Sequence, residues 1–442
     1  MSPTADLLAP APPAALSSGA ELHALVRRLY PICRSITGDG VRASLAILRE
    51  YLPDLQVREV PTGTPVLDWQ VPREWNIRAG WIRNERGERV VDFADHNLHV
   101  LGYSVPVRGW FTRAELGSHL HSLPGQPELI PYRTSYYTEA WGFCLTHHQL
   151  LALTEARYEV CIDSDLRAGA LTYGELLLPG ERAEEVLISC HICHPSLAND
   201  NLSAVAVAVL LARQLRRQPR RYSYRFVFAP GTIGAITWLS QNPEAVARVR
   251  HGLVLSLLGS AGAFTYKKSR RGAADIDRAV ALALRDAAVP HQVVDFIPYG
   301  YDERQYCSPG FNLPVGCLSR TPYAQFPEYH TSADNPEFVQ PDALADSLLL
   351  IQAALAVLDA NARYQNRSPY GEPELGRRGL YGPVGGVPTH PDGQLALLWV
   401  LNLSDGQYSL LDIAERAGLP FALVRQAADR LLAHDLLTLL PD

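Results

Sequence analysis

The sequence VLISCHICHPSLANDNLSAVAVAVLLARQLR, residues Val186–Arg216, joins a short apolar run, a polar loop and an apolar stretch of helical length. The run Val186–Ser189 predicts a buried strand, and the Ala/Val/Leu-rich residues from Leu202 predict a helix. The loop between them is dense in side chains able to bind a metal, namely His191, Cys193, His194, Asn199, Asp200 and Asn201. Open α/β sheets build their sites where a strand ends and a helix follows. This loop therefore predicts a functional site.

Strand and helix patterns alternate after this segment. The predicted strands are Tyr222–Phe228, Gly252–Leu258 and Gln292–Ile297, and the predicted helices are Thr232–Ser240, Asp275–Ala287 and Gln340–Leu358. The alternation predicts an α/β fold with a mostly parallel sheet flanked by helices. We expect this domain to comprise residues 19–64 and 166–363.

Three other parts of the chain have a different composition. Residues 65–165 are rich in Trp, Tyr, Pro and Gly, with short alternating stretches that predict a small nested β-rich domain. Residues 385–442 show three helical patterns and a final strand pattern, which indicate a winged helix, with Ser409 and Asp412 as a capping box. The Pro/Ala/Ser-rich residues 1–18 lack a basic segment and predict a disordered tail rather than a signal peptide.

The overall composition of the 442 residues, 47% hydrophobic and 19% charged, is that of an ordinary globular protein. The formal net charge of −6 gives no overall basic surface for nucleic acid or anionic lipid. No run of residues approaches the roughly 18 apolar residues that a membrane span needs. Seven cysteines, an odd number, fit a reducing compartment better than a disulfide framework. We therefore expect a cytoplasmic protein without a membrane partner.

The C-terminal domain has the wrong charge for a DNA-binding winged helix. Between residues 391 and 442 there are three basic residues against seven acidic ones. A surface that follows phosphates needs several Lys or Arg residues. We therefore expect no nucleic acid partner and a protein-contact or dimerisation role, which would make the protein a homo-oligomer.

The strongest candidate site joins the opening loop to the segment Glu328–Asn335, EYHTSADN. Imidazole and carboxylate ligands suit Zn²⁺, which takes three protein ligands and keeps an open position in catalytic sites. His194, Asp200 and His330 would provide these ligands, whereas Cys193 is more easily explained as a packed thiol. The competing interpretation is that these polar loop residues only cap helices, which the second loop and the strand–loop–helix setting make weaker. The sequence therefore predicts one zinc ion.

Two further clusters are candidates for contacts with a substrate. Asp302, Glu303 and Arg304 follow a predicted strand and its Pro/Gly turn, and they form either part of a site over the sheet edge or a solvated charged turn. Arg133 lies next to clustered aromatic residues that would wall a substrate groove. Such aromatic residues are more often simply the core of a small β unit.

At these motifs the chain resembles a family of bacterial proteins with an M28-like zinc aminopeptidase domain, a nested β-rich domain and a C-terminal winged helix. Its members are often labelled DUF4910, or aminopeptidase-like proteins of polysaccharide-biosynthesis regions. The resemblance covers roughly residues 20–440. It is carried by IPYRTSYYTEAWGFCL (130–145), LTYGELLLPG (171–180), ISCHICHPSLANDNLS (188–203), DERQYCSPGFNLP (302–314) and EYHTSADN (328–335). Together these segments are highly specific, although one alone would not be.

In M28-type sites a His, a metal-bridging Asp and a late His hold zinc, and a Glu acts as general base. The resemblance implies that Asp200 is the bridging Asp and that His330 is the late His. The first His is either His191 or His194. The Cys-His-Pro element favours His194, which would leave His191 facing the substrate or supporting the ligands.

The chain departs from the family pattern at two positions. Where the family reads Pro-Glu-Thr-Ile-Gly-Ser, this chain reads PGTIGA at 230–235, so Gly231 replaces the Glu that would deprotonate a zinc-bound water. Where the family has Gly-Asp, this chain has Gly and Ser260. The remaining candidates for the acid–base role, which is worth about 10²–10⁴-fold in rate, are Glu328, Glu303 and His191.

The resemblance implies a zinc-dependent, aminopeptidase-like hydrolase that acts on an amide bond of a small aminoacyl or peptidyl substrate in a biosynthetic pathway. The candidates for substrate binding are Arg133, Asp302, Arg304 and Tyr329. The missing acids leave two alternatives open: a non-hydrolytic acyl-transfer or condensation enzyme on the same zinc fold, and a non-catalytic binding or scaffold protein. Peptidase activity does not follow from the fold alone.

Overall fold

The computed structural model describes residues 13–381 and 391–441. The helices in these residues are α1 (Pro13–Leu29), α2 (Asp39–Tyr51), α3 (Arg113–Gly117), α4 (His147–Ala152), α5 (Ala204–Leu215), α6 (Ile233–Gln241), α7 (Pro243–Arg248), α8 (Asp275–Asp286), α9 (Glu303–Tyr306), α10 (Pro341–Ala360), α11 (Pro391–Leu403), α12 (Leu410–Ala417) and α13 (Phe421–Ala433). The strands are β1 (Gln56–Pro61), β2 (Pro65–Val66), β3 (Trp69–Gln70), β4 (Glu74–Arg83), β5 (Arg89–Asp92), β6 (Val107–Thr112), β7 (Leu120–His121), β8 (Phe143–Cys144), β9 (Arg157–Arg167), β10 (Ala170–Leu178), β11 (Glu185–His191), β12 (Ser223–Ala229), β13 (Val249–Leu255), β14 (Phe264–Lys267), β15 (His291–Val294), β16 (Val315–Ser319), β17 (Arg363–Asn366), β18 (Asp405–Ser409) and β19 (Leu437–Leu439).

By its internal contacts the described chain divides into two compact units, residues 13–272 with 291–349, and residues 273–290 with 350–441. Helix α8 therefore groups with the C-terminal residues, although the sequence placed it in the domain of residues 166–363. Polar contacts join α8 to the C-terminal residues. Arg278 of α8 donates to Asp412 and Glu415, and the Asp286 carboxylate accepts the backbone N–H of Phe421. The other predicted domain boundaries stay predictions.

An eight-stranded sheet forms the centre of the first unit, in the order β1-β10-β12-β11-β13-β16-β14-β15. Its middle strands β12, β11, β13 and β16 are parallel, whereas β1, β10 and β14 run antiparallel to neighbours. Strands β11 and β12 are buried along their whole length, as strands covered on both faces are. The predicted α/β fold with a mostly parallel sheet flanked by helices is confirmed.

Strand β13 ends three residues before the predicted end. The Ser256 N–H still donates to the Leu318 carbonyl of β16, but the backbone N–H groups that follow bond to side chains. Leu257 N–H donates to Asn201 Oδ1 at 3.1 Å, and Gly259 N–H donates to Asn199 Oδ1 at 2.8 Å. Both asparagines lie in the polar loop that follows β11. The loop of the candidate site thus fixes the end of the next strand in the sheet.

Residues 65–165 contain a separate antiparallel sheet in the order β5-β4-β9-β6. Along β9 the side chains of Tyr158, Val160 and Ile162 are buried at every second position, the period of a strand. They share a core cluster with Ile82 and Phe143. This β-rich content agrees with the sequence pattern.

Helix α1 starts at Pro13, so residues 13–18 of the predicted tail belong to a helix, whereas residues 1–12 lie outside the described part. Helix α10 is long and apolar enough to cross a membrane, contrary to the expectation that no run approaches this length. However, 61% of its apolar window is buried inside the protein. A core helix passes the same test of length and composition.

The second unit carries the sheet β18-β17-β19 with helices α11, α12 and α13. The predicted capping box is confirmed, since the Ser409 side chain accepts the N–H of Asp412. The predicted wing strand corresponds to β19. Strand β17 lies before residue 385, outside the range predicted for the winged helix, and residues 385–390 of that range lie outside the described part.

A buried charge network on the neighbouring strands β10, β12 and β11 yields a stability prediction. Arg225 of β12 is 6% exposed and donates to Glu185 at 2.5 and 2.9 Å and to Glu175 at 2.6 Å. Arg225→Leu removes the counter-charge that these two buried carboxylates share, which leaves Glu185 with Arg248 and Glu175 with the Trp238 N–H and the more distant Arg58. We therefore expect the free energy of unfolding to fall by about 3 kcal/mol, the lower end for a broken buried pair. Urea unfolding followed by circular dichroism measures this change.

The matched control is Arg78→Leu, which removes the exposed ion pairs of Arg78 with Asp163 and Asp165. Exposed pairs contribute about 0–1 kcal/mol, so the control should unfold close to the unsubstituted protein. Equal losses in the two variants would contradict the prediction.

Candidate metal centre

The candidate site lies in the first unit, at the carboxyl ends of β11, β12 and β13. Strand β11 ends at His191, and the chain then passes through the turn Ala198–Ser203 into α5. His330 comes from the loop between β16 and α10. The strand–loop–helix pattern therefore places the polar loop at the edge of the sheet where α/β proteins build their sites.

The centre of the site is the carboxylate of Asp200, which is fully buried. Its Oδ1 lies 2.8 Å from His191 Nε2, and its Oδ2 lies 3.0 Å from His330 Nε2. Burial alone would raise the pKa of Asp200, but His194, His191 and His330 together hold this pKa well below its usual value. Asp200 is therefore a carboxylate with a different imidazole on each oxygen.

Asp334, which the sequence did not single out, holds the turn that carries Asp200. Its carboxylate accepts the backbone N–H groups of Asn199 at 2.5 Å and Asp200 at 3.0 Å, and its carbonyl accepts that of Ala198 at 2.9 Å. Asp334 is fully buried, and burial raises its pKa to about 7. Its role is to fix the backbone around Asp200.

His191 and His194 both lie near Asp200, but in different ways. His191 bonds to Asp200 directly, and Asn201 Nδ2 lies 3.2 Å from its other ring nitrogen. His194 lies with its ring centre 5.1 Å from that of His191, and burial lowers its pKa to about 3. The direct contact favours His191, although the sequence favoured His194, and the choice of first ligand stays a prediction.

The donor set fits a zinc ion. The ligand atoms of His191, His194 and Asp200 all lie within 4.8 Å of one another, and His330 reaches the second oxygen of Asp200. Imidazole nitrogen and carboxylate oxygen are the ligands that zinc binds in catalytic sites with an open position.

These groups form one side of a cavity of about 270 Å³. Asp302, Arg304 and Tyr329, three of the predicted substrate-binding residues, line it. Arg133, the fourth, is exposed and is not among the lining residues. Tyr329 stacks on His330, with ring centres 3.9 Å apart.

Gly231 stands where the resemblance implies a Glu, and the carboxylate of Asp302 lies close to this position. A Cβ atom at Gly231 would lie 3.1 Å from His191 Cβ and 3.5 Å from Asp302 Oδ1. Asp302 is 1% exposed, burial raises its pKa to about 7, and its Oδ1 has no hydrogen-bond partner among the described residues. The carboxylate of Asp302 therefore faces the place from which a side chain at position 231 would extend.

The other predicted acid–base candidates lie elsewhere. Glu303 is fully buried and forms an ion pair with Lys267, so its carboxylate is committed to a cation. Glu328 is half-buried and is not among the residues that line the cavity. His191 lies in the site but is bonded to Asp200. Ser260, where the family has an Asp, is buried and does not line the cavity.

The nested β-rich segment also contributes to the site. The Tyr132 backbone N–H donates to the His330 carbonyl at 2.8 Å, and Pro131 forms a β-bridge with Thr331. The Tyr132 ring meets the rings of His194 and His330 edge-on, at 5.1 and 5.0 Å. Of the aromatic cluster near Arg133, Tyr136 and Tyr137 line the cavity, whereas Phe143 is buried in the nested core. The cluster is therefore divided between the cavity and the nested core, and a contact with substrate stays a prediction.

Comparison with known proteins gives the family. Residues 23–361 match a domain of unknown function, DUF4910, and residues 362–439 match a winged helix-turn-helix family. A curated protein from Clostridium acetobutylicum is 48% identical over 422 residues, which cover 96% of this chain and 97% of that protein. Its name includes the words "polysaccharide biosynthesis protein with aminopeptidase-like domain".

Solved structures agree with this assignment. A crystal structure from Clostridium acetobutylicum has a TM-score of 0.92 at 46% identity, covering 96% of this chain and 97% of that one. A zinc aminopeptidase from Bacillus subtilis has a TM-score of 0.57 at 12% identity, covering 77% of this chain and 94% of that one. An M28 peptidase precursor from Shewanella amazonensis has a TM-score of 0.53 at 14% identity, covering 78% and 95%. At these low identities the likeness shows the fold alone.

The resemblance inferred from the sequence motifs is thereby confirmed. The chain belongs to the DUF4910 family, with a fold like that of the M28 zinc aminopeptidases followed by a winged helix.

Proposed function

We propose that this protein is a zinc-dependent hydrolase that cleaves an amide bond of a small substrate in a biosynthetic pathway. The observation that carries the proposal is the buried Asp200, which has a different histidine on each carboxylate oxygen at the side of a cavity. The aminopeptidase-like fold supports amide chemistry. The name of the relative from Clostridium acetobutylicum supports the biosynthetic setting.

Asp200, His330 and one of His191 and His194 would hold the ion. When bound, zinc supplies a Lewis acid that polarises the carbonyl group and lowers the pKa of water. Tyr329 stacks on His330, and Asn201 lies against the far nitrogen of His191. Such partners fix the orientation of a ligand ring, and losing them typically weakens metal binding by about 10–100-fold.

Proton transfer is the role that we assign to Asp302. In the hydrolytic reaction Asp302 Oδ1 would accept the proton of the attacking water and return it to the leaving nitrogen. This atom is buried, lacks a hydrogen-bond partner among the described residues and lies beside the position where the family has its Glu. Glu303 is less suited because Lys267 already neutralises its carboxylate.

An acyl-transfer or condensation enzyme on the same zinc site is the second candidate, favoured by Gly231 and Ser260 in place of acids. Heavy-oxygen water separates the two reactions. Hydrolysis places one heavy oxygen in the carboxylic acid product, whereas transfer to another nucleophile places none there. Mass spectrometry of the product therefore decides between them.

The first prediction of this proposal concerns the metal. We expect the unsubstituted protein to hold about one equivalent of zinc after dialysis and the Asp200→Asn variant to hold almost none, because the ligand charge is lost. Inductively coupled plasma mass spectrometry gives the zinc content. The His191→Ala and His194→Ala variants are measured in parallel, and we expect the larger loss of affinity from His191→Ala.

The control is His251→Ala, which changes another buried histidine that does not line the cavity. It should retain zinc. Zinc retained by Asp200→Asn at the level of this control would refute the metal site.

The second prediction concerns Asp302. Asp302→Asn keeps the shape of the side chain but cannot accept a proton, so we expect kcat for amide hydrolysis to fall by about 10²–10⁴-fold with the zinc content unchanged. Because Gly231 faces Asp302, adding Gly231→Glu to the Asp302→Asn variant should restore part of the lost rate. Aminoacyl 4-nitroanilides and N-acetylated amino sugars are the substrates of the assay.

Glu328→Gln is the matched control, since it makes the same carboxylate-to-amide change outside the cavity lining. It should leave kcat within about twofold. If Asp302→Asn hydrolyses as fast as this control, proton transfer belongs to another group.

A further inference from the structure

The lining of the cavity is poor in the side chains that normally receive a peptide. Among the described residues no Leu, Ile, Val, Met or Phe side chain lines it. Apart from the histidines near Asp200, the aromatic residues that line it are all tyrosines: Tyr136, Tyr137, Tyr299, Tyr301, Tyr323 and Tyr329. Thr232, Asp302 and Arg304 add further polar groups. The cavity therefore offers flat ring faces together with many hydrogen-bonding groups.

The tyrosines form two groups that come from different parts of the chain. Tyr136 and Tyr137 belong to the nested segment, with ring centres 6.2 Å apart. Tyr299, Tyr301 and Tyr329 all contact Tyr323, with ring centres 5.6 to 6.5 Å apart. One residue of each group is strongly exposed, Tyr137 at 53% and Tyr299 at 64%. These two rings present apolar faces to solvent at the cavity.

Arg304 places a cation at the cavity. Among the described residues, no carboxylate forms an ion pair with it. Its Nε is buried without a hydrogen-bond partner, and its guanidinium carbon lies 6.0 Å from the ring centre of Tyr299. The neighbouring Glu303 pairs with Lys267 instead. A guanidinium with free donors is suited to a carboxylate or a phosphate, whose oxygens match its planar fork.

The polar lining also disfavours binding of an aliphatic substrate group in this cavity. A buried hydroxyl or guanidinium that loses water without gaining a partner costs about 1–3 kcal/mol, and a site built to bond hydroxyl groups rejects a ligand that lacks them. A sugar ring satisfies both parts of this lining. Its C–H face lies on a tyrosine ring, and its hydroxyl groups bond to the polar groups around it.

We propose that the substrate is an N-acylated amino sugar that carries a carboxylate or phosphate group. Its ring lies between the two tyrosine groups, its anionic group binds Arg304, and its amide carbonyl faces Asp200 and the histidines. The inference rests on the proposed amide hydrolysis. Water adds to the carbonyl carbon, the C–N bond breaks and the leaving nitrogen takes a proton, so the products are a carboxylic acid and a free amino sugar.

The test uses the full-length, zinc-loaded protein and four probes. N-acetylneuraminic acid carries a carboxylate, N-acetylglucosamine 1-phosphate carries a phosphate, N-acetylglucosamine is neutral, and leucyl 4-nitroanilide represents a peptide-like substrate. Calorimetry measures binding, and mass spectrometry detects hydrolysis. We expect at least one charged sugar to bind about tenfold or more tightly than the neutral sugar, as one charge-assisted contact would give. Which of the two charged sugars binds more tightly shows whether the anionic group of the substrate is a carboxylate or a phosphate.

Two variants assign this binding to residues. Arg304→Gln should abolish the advantage of the charged sugar over the neutral sugar, whereas Tyr137→Ala should weaken the binding of all three sugars alike. Arg217→Gln, the same change at an exposed arginine that does not line the cavity, should alter nothing. An unchanged advantage in Arg304→Gln would overturn the assignment of the anionic group.

The outcomes separate the substrate class from the reaction. Charged sugars that bind but are not cleaved would uphold this inference and refute the proposed hydrolysis. Cleavage of leucyl 4-nitroanilide, with no sugar bound more tightly than a Kd of about 1 mM, would uphold hydrolysis and overturn the inference. An absence of both sugar binding and cleavage would overturn both.

Discussion

The cost of burying one carboxylate governs this site. The Asp200 side chain has no exposed surface, and a buried charge destabilises a protein unless it is paired and hydrogen-bonded. Two histidines from distant parts of the chain provide this compensation, one on each oxygen. Asp334 in turn holds the backbone on which Asp200 is carried. The same arrangement that makes the burial tolerable leaves a set of nitrogen and oxygen donors pointing at one place, which is what a zinc ion requires.

The fold around this carboxylate could largely be predicted, because the sequence patterns of its strands and helices lie within short segments of the chain. The apolar run before His191 and the Ala/Val/Leu-rich residues after Leu202 are enough to predict β11 and α5. Strand β17 was missed because RYQN is too short and too polar to show a period. The end of β13 was missed because it depends on backbone N–H groups that donate to Asn199 and Asn201, which lie more than fifty residues earlier.

The types of residue in the site could be predicted from the sequence, but their relative positions and contacts largely could not. The family motifs in the sequence were enough to predict that Asp200 and His330 belong to one site. The sequence had no means of deciding which of two adjacent acids, Asp302 and Glu303, faces the cavity, because this depends on where Lys267 lies. The contribution of Asp334 was equally hidden, since a carboxylate that accepts backbone N–H groups leaves no pattern along the chain. The replacement of the expected Glu by Gly231 stays a prediction from the resemblance, and the carboxylate of Asp302 near this position became visible only in the structure.

The bridge between Pro131 and Thr331 has a consequence for how such a protein is modified. Residues 65–165 look like an insertion that could be trimmed to give a minimal enzyme. However, the chain next to this bridge bonds to the backbone of His330 and places the Tyr132 ring against two histidines. A shortened version would lose the backbone bond to the loop that carries His330, and it would lose Tyr136 and Tyr137 from the cavity. Residues 65–165 and the central sheet therefore belong to one compact unit and build the candidate site together.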